Sequence, residues 1–225
     1  AAKQATAATP IVMAAVADPV GQNLIQSLSR PGANVTGLSS QAEDIIAKML
    51  ELFAGVLPRP ATVAVLAEAR SEVHPRMWRQ LGPIADMLKL KLVRIDVANA
   101  AGLPAAFDAA LSKRANAMFV LPDEPLFLSR RAAIVELAAR HRLPALYGAR
   151  EFVDDGGLMS YGENLRAAYH NAASYIGNLA RGAAPANLPV EQPTRFELVI
   201  NLKTARALGL AVPQPTLLRA DALLD

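Results

Sequence analysis

Short β-branched apolar runs recur along this chain, and longer amphipathic stretches fill the gaps between them. That rhythm restricts the fold to βα units. Parallel strands need a crossover, and a crossover helix needs a sheet face to bury its apolar side. The predicted strands are Ile11–Ala17, Asn34–Leu38, Thr62–Leu66, Leu92–Val97, Ala117–Leu121, Pro144–Tyr147, Leu158–Tyr161 and Phe196–Ile200. Between them the spacing predicts helices over 20–30, 41–56, 75–88, 103–114, 126–141, 165–181 and 202–208. The second of these is the clearest, with Ile45, Ile46, Met49, Leu50 and Phe53 on one face. Pro31-Gly32, Pro58 and Pro60 are stop signals, and Pro83 is expected to bend or break its helix. Asn201 reads as a helix N-cap, and Gly182 and Gly209 read as C-terminal caps. Pro185, Pro189 and Pro193 mark an extended connector.

The length, 225 residues, fits one large domain or two small lobes. A 52% hydrophobic composition supports a well-buried core, and no apolar run approaches the roughly 20 residues of a membrane-spanning helix. The net charge of +3 comes from basic residues spread along the chain, which argues against a nucleic-acid partner. Arg130, Arg131, Arg140 and Arg142 read as a solvated helix face. There is no cysteine, so disulfides and thiolate metal sites are excluded.

Open α/β sheets bind ligands beyond the carboxyl ends of their strands. The residues at those ends are Asp18-Pro19, Glu68 with Arg70, Ser71 and Glu72, Pro122-Asp123-Glu124-Pro125, and Tyr147 followed by Gly148, Arg150 and Glu151. Carboxylates can hold an ammonium, arginine a carboxylate, and tyrosine can stack on a ring, a set that suits a zwitterion. Helix capping by the same residue types accounts for any one of them equally well. Asp18 and Asp123 stand out because a nearby proline stiffens each loop.

No catalytic residue, metal site or cofactor is predicted. His74, His141 and His170 are far apart in sequence, belong to no zinc-protease pattern, and read as surface or helix-end residues. Ser71 and Ser160 lack a GxSxG elbow, and neither GxGxxG nor GxxxxGK[ST] occurs. The sequon Asn34-Val35-Thr36 is read as chance.

Several stretches look familiar together. They are Ala17-Asp18-Pro19-Val20-Gly21, Arg30-Pro31-Gly32-Ala33-Asn34-Val35-Thr36-Gly37, Arg140-His141-Arg142-Leu143-Pro144-Ala145, Gly156-Gly157-Leu158-Met159-Ser160-Tyr161-Gly162 and Leu188-Pro189-Val190-Glu191-Gln192-Pro193 leading into Phe196–Ala205. In order, and over nearly the whole chain, they resemble the ABC transporter substrate-binding family that includes tryptophan- and tyrosine-binding proteins. The resemblance implies an α/β, type 1 periplasmic-binding-protein-like fold: parallel sheets flanked by helices, in two lobes closing over a ligand.

On that pattern residues 1–36 and 157–183 are a partial first lobe, and residues 37–156 and 184–225 a complete second lobe. Hinge crossings are expected near Gly37–Ser40, Asp155–Gly157 and Gly182–Asn187. The implied ligand-binding residues are Asp18, Glu68, Ser71, Asp123, Tyr147 and Glu151. Relatives often carry an Asn- or Ser-rich loop where this chain has Glu68-Ala69-Arg70-Ser71-Glu72, a departure that points to a different solute. The resemblance also implies a periplasmic (extracytoplasmic) location, with the leader absent from this chain, and an ABC permease of the inner membrane as partner. A homodimer through the incomplete first lobe is expected as well. The competing functions are the effector-sensing domain of a transcription regulator and a carboxylate-using racemase or lyase.

Overall fold

The computed structural model describes residues 2–225, so Ala1 lies outside the described residues. The chain runs α1 (Ala2–Ala5), β1 (Ile11–Ala17), β2 (Val35–Ser40), α2 (Ala42–Ala54), β3 (Thr62–Glu68), α3 (His74–Met87), β4 (Lys91–Val97), α4 (Leu103–Ser112) and β5 (Ala117–Val120). It continues through α5 (Pro125–Ser129), α6 (Arg131–Arg140), β6 (Ala145–Tyr147), α7 (Arg150–Asp154), β7 (Met159–Glu163), α8 (Leu165–Ala180), β8 (Phe196–Asn201), α9 (Leu202–Ala207), α10 (Gln214–Leu217) and β9 (Ala222–Leu224). Two compact units result: unit 1 is 1–41 with 163–196, and unit 2 is 42–162 with 197–225.

In unit 1, β1 and β2 pair in parallel from Ile11↔Val35 to Ala17↔Ser40, with a register shift between Met13 and Val16. Gly37 sits at that close approach with φ +124°, and a Cβ there would meet the Met13 carbonyl oxygen at 2.2 Å. No other residue type fits both the dihedral and the space. Helix α8 packs on both strands. Leu38, Ala172 and Tyr175 form one apolar cluster, and Met13, Ile25, Val35 and Val190 form another.

The proline-rich stretch after α8 belongs to unit 1 rather than crossing between units. The Thr36 hydroxyl donates to the Leu188 carbonyl (2.7 Å), and the Ser39 amide donates to the Glu191 carbonyl (2.9 Å). The Glu191 amide donates to the Gly37 carbonyl (3.0 Å), and the Tyr175 hydroxyl to the Pro189 carbonyl (2.8 Å). The outer edge of β2 would otherwise leave its backbone groups unpaired, and this stretch satisfies them. The boundary between Gln41 and Ala42 falls next to the crossing expected near Gly37–Ser40, whereas Gly182–Asn187 lies inside unit 1.

Residues 20–30, expected as a helix, form a series of turns. The Gln22 amide bonds the Asp18 carbonyl, Asn23 bonds Val20, and Leu24 bonds Pro19. Asn23 has a positive φ of 55°, and the Ser27 hydroxyl bonds Arg30. These polar side chains offer the backbone local partners that compete with helix. Leu24, Ile25 and Leu28 still turn inward, so the apolar spacing is met without helical hydrogen bonds.

Unit 2 holds a seven-stranded sheet in the order β4-β3-β5-β6-β7-β8-β9. β3 pairs in parallel with β4 and β5, β5 with β6, β6 with β7, and β8 with β9. Val63–Ala67 are fully buried, as a central strand covered on both faces requires. The apolar stripe of α2 buries Ile46, Met49, Leu50 and Phe53. Helix α3 runs unbroken through Pro83, contrary to expectation. Pro83 and Arg79 are both exposed, so the carbonyl that loses its helical partner lies on a face open to solvent. The expected single helix over 126–141 is interrupted at Arg130, next to a Ser129 hydroxyl that bonds back to the Leu126 carbonyl. Asn201 caps α9 as expected, accepting the Thr204 amide at 2.9 Å. The short α10 and β9 carry too few residues to show a period and were not foreseen.

Candidate ligand-binding site at the strand exits

Strands β3, β5, β6 and β7 are parallel neighbours, so their carboxyl ends lie at one end of the unit 2 sheet. The register therefore brings together Glu68–Ser71, Pro122–Glu124 and Gly148–Glu151, which are far apart in sequence. Glycine permits this closeness. A Cβ on Gly148 would meet the Cβ of Pro122 at 2.4 Å, and one on Gly162 would meet the Gly148 carbonyl oxygen at 1.8 Å.

His74, at the start of α3, ties two of these exits. Its Nδ1 accepts the Glu68 amide (2.9 Å), which leaves Nε2 protonated to donate to the Pro122 carbonyl (2.9 Å). The ring has no exposed surface and stacks on Phe127 at 6.0 Å. Burial lowers its pKa to about 4, so the imidazole is neutral at physiological pH. Of the expected surface or helix-end placement, His74 takes the helix end, as the first residue of α3, but is buried rather than on the surface. His74 shares the inward stripe of α3 with Met77, Leu81 and Ala85, a spacing that the sequence already displayed. His141, at the end of α6, stacks on Phe107, and His170 is exposed.

Around His74 the polar groups are closely set. The Glu68 carboxylate accepts the Arg70 amide at 2.8 Å. The Ser71 hydroxyl oxygen accepts the amides of Val73 (3.3 Å) and His74 (3.2 Å). Glu124 Oε1 lies 4.0 Å from His74 Nε2. Burial raises the Glu124 pKa above the usual carboxylate value; the Ser71 bond opposes this, and the charges of Glu68 and Asp123 add to it. Asp123 is exposed, with a left-handed φ of 66° that aspartate tolerates better than most residues.

Around the exit of β6, buried polar atoms make no hydrogen bond among the described residues: the Tyr147 hydroxyl, Ser160 Oγ on the adjacent β7 and Glu151 Oε2. Tyr147 and Ser160 are register partners. Tyr147 is fully buried, its ring lies 4.6 Å from Phe152 at an interplanar angle of 10°, and burial raises its hydroxyl pKa. The expected ring-stacking wall is thus a core side chain in this structure, because β6 lies mid-sheet. Ser160, set aside in the sequence for want of an elbow motif, emerges here through burial alone.

Asp18 belongs to unit 1 and ends β1 with φ 40°, its Oδ1 accepting the Gly21 amide at 2.8 Å. Arg150 pairs with Asp154, and Arg70 is exposed. Among the described residues no group of three or more His, Cys, Asp or Glu side chains is placed to hold a metal, and no helix is long and apolar enough to cross a membrane.

Parallel sheets flanked by helices, with charged and unpartnered side chains collected where strands end, are the build of a periplasmic-binding-type protein. The chain belongs to the ABC transporter substrate binding protein family, whose profile matches residues 1–223. It is 27% identical over 213 residues to a tyrosine-binding protein of Clostridioides difficile, matching 93% of this chain and 60% of that protein's length. Its fold is similar to an ABC domain in complex with L-Trp from Streptococcus pneumoniae (TM-score 0.86, 25% identity, 99% of this chain and 74% of that one). It is also similar to a conserved domain protein from Vibrio cholerae (TM-score 0.87, 26% identity, with the same coverage).

Proposed function

We propose that this chain is the solute-binding component of a bacterial ABC importer and that it captures an aromatic amino acid or a related acid without chemically altering it. The observation that carries this reading is the set of buried, unpartnered polar atoms around the exit of β6, beside the carboxylates at the exits of β3 and β5. A buried polar atom without a partner costs about 1–3 kcal/mol, which a ligand hydrogen bond would recover. Family membership and relatives named for tyrosine and tryptophan supply the ligand class. An ammonium fits the carboxylate group, since Glu124 is otherwise crowded by Glu68 and Asp123. Glu68, Ser71, Asp123, Tyr147 and Glu151 are the proposed ligand-binding residues of unit 2, and Asp18 that of unit 1. An extracytoplasmic location and an ABC permease partner belong to the same proposal, as does the assignment of unit 1 to the first lobe and unit 2 to the second.

Titration calorimetry with L-tyrosine and L-tryptophan tests it. Saturable binding is expected, with Asp123→Ala raising Kd about tenfold for loss of one charge-assisted contact. No binding of either amino acid would remove this ligand class, and an unchanged Kd in the variant would remove Asp123 from the site. Among the described residues β1 has β2 as its one ladder partner, so its other edge offers backbone groups to a second copy. Light scattering is expected to give the mass of a dimer, and a monodisperse monomer contradicts that assembly.

A further inference from the structure

We infer that His74 is the positioning residue of this site: a buried spacer whose two ring nitrogens hold the exits of β3 and β5 at the separation that ligand binding requires. The inference rests on the proposed binding role of those exits and adds to it the device that sets their spacing. The His74 ring is fully buried and both of its hydrogen bonds go to backbone groups, so its influence on the loops passes through the backbone it holds. One ring edge accepts the Glu68 amide and the opposite edge donates to the Pro122 carbonyl, both at 2.9 Å.

Glu68 carries one proposed ligand carboxylate. Pro122 directly precedes Asp123, which carries another, with the Glu124 carboxyl next in the chain. Because an imidazole is rigid, the pair of bonds fixes the distance between these loops, where two separate side chains would leave it loose. Phe127 fixes the ring plane by stacking. Ser71 adds to the brace by accepting the His74 amide at 3.2 Å. Only one tautomer satisfies both ring contacts. The charged groups bearing on the ring are Glu124, Arg94 and Asp96.

The test separates the two ring edges. In His74→Asn the amide oxygen can still accept from Glu68 but cannot reach Pro122; in His74→Gln the longer amide can donate to Pro122 while the Glu68 amide loses its acceptor. Each variant is expected to raise the Kd for L-tryptophan and L-tyrosine about tenfold, and His74→Leu about a hundredfold, for one and two lost buried hydrogen bonds. Amide exchange at Glu68 should stay slow in His74→Asn and become fast in His74→Gln. If His74 only stabilises the fold, the folded Asn and Gln variants bind with wild-type Kd despite lowered Tm, and the inference is overturned while the site reading stands. If Asp123→Ala and Glu124→Gln also leave Kd unmoved, the site reading has failed. Should the wild-type chain bind neither amino acid, both are lost.

Discussion

Gly162→Ala is expected to lose more than about 3 kcal/mol of stability, the largest effect of any single methyl addition in unit 2. The added Cβ would stand 1.8 Å from the Gly148 carbonyl oxygen and 2.9 Å from its carbon, both backbone atoms. No flexible side chain can move aside. Gly148 is itself closely packed, since a Cβ built on it would lie 2.4 Å from the Pro122 Cβ. The strain must spread through the exits of β5, β6 and β7, where the proposed ligand groups sit. For a chain of this size the loss corresponds to a Tm lowered by roughly 6–12 °C. Gly82→Ala is the control. Gly82 lies within α3 with nothing within 4 Å of an added Cβ, so alanine there should stabilise by about 0.5–1 kcal/mol. Urea denaturation of the two variants reads both effects, and a wild-type midpoint for Gly162→Ala would contradict the close packing of these strand ends.

The second large effect is acid sensitivity. His74 has a pKa lowered from 6.5 to about 4 in the folded protein, so between those values the unfolded chain binds the additional proton. Stability contributed by the neutral ring is fully present above about pH 6.5 and falls as pH drops towards 4. A shift of that size corresponds to about 3 kcal/mol. Glu124 works in the opposite sense: its raised pKa favours the folded state at low pH and loses that contribution as pH rises through the folded value. Unfolding free energies measured between pH 7 and pH 4 should therefore fall in the wild type and fall less in His74→Asn, with the difference isolating the histidine. Parallel profiles for the two proteins would mean that the ring is not held neutral by the fold.

The apolar periodicity made most of the secondary structure legible. Ile46, Met49, Leu50 and Phe53 form a stripe that can be buried only as a helix, and Val63–Ala67 a run that can be buried only on both faces. Where reading by period failed, local polar chemistry had won. The turns of residues 20–30 bury the same leucines a helix would have buried, while Asn23, Ser27 and their neighbours redirect the backbone. Pro83 misled in the other direction, because its effect depends on whether the carbonyl it orphans meets water.

The site divides in the same way. That Glu68, Asp123 and Glu151 stand at strand exits follows from βα alternation alone, since every exit in a parallel sheet opens at the same end. That Tyr147 is a core ring, that Ser160 is buried opposite it, and that His74 bonds Pro122, 48 residues along the chain, all depend on the order β3-β5-β6-β7. Strand order is a property of pairing between distant segments, and each segment by itself has the same pattern whichever neighbour it takes. The linear chain thus determined which residues stand at the ends of strands. Only the assembled sheet decided which of those residues meet, because hydrogen-bond register and burial arise between strands rather than within them.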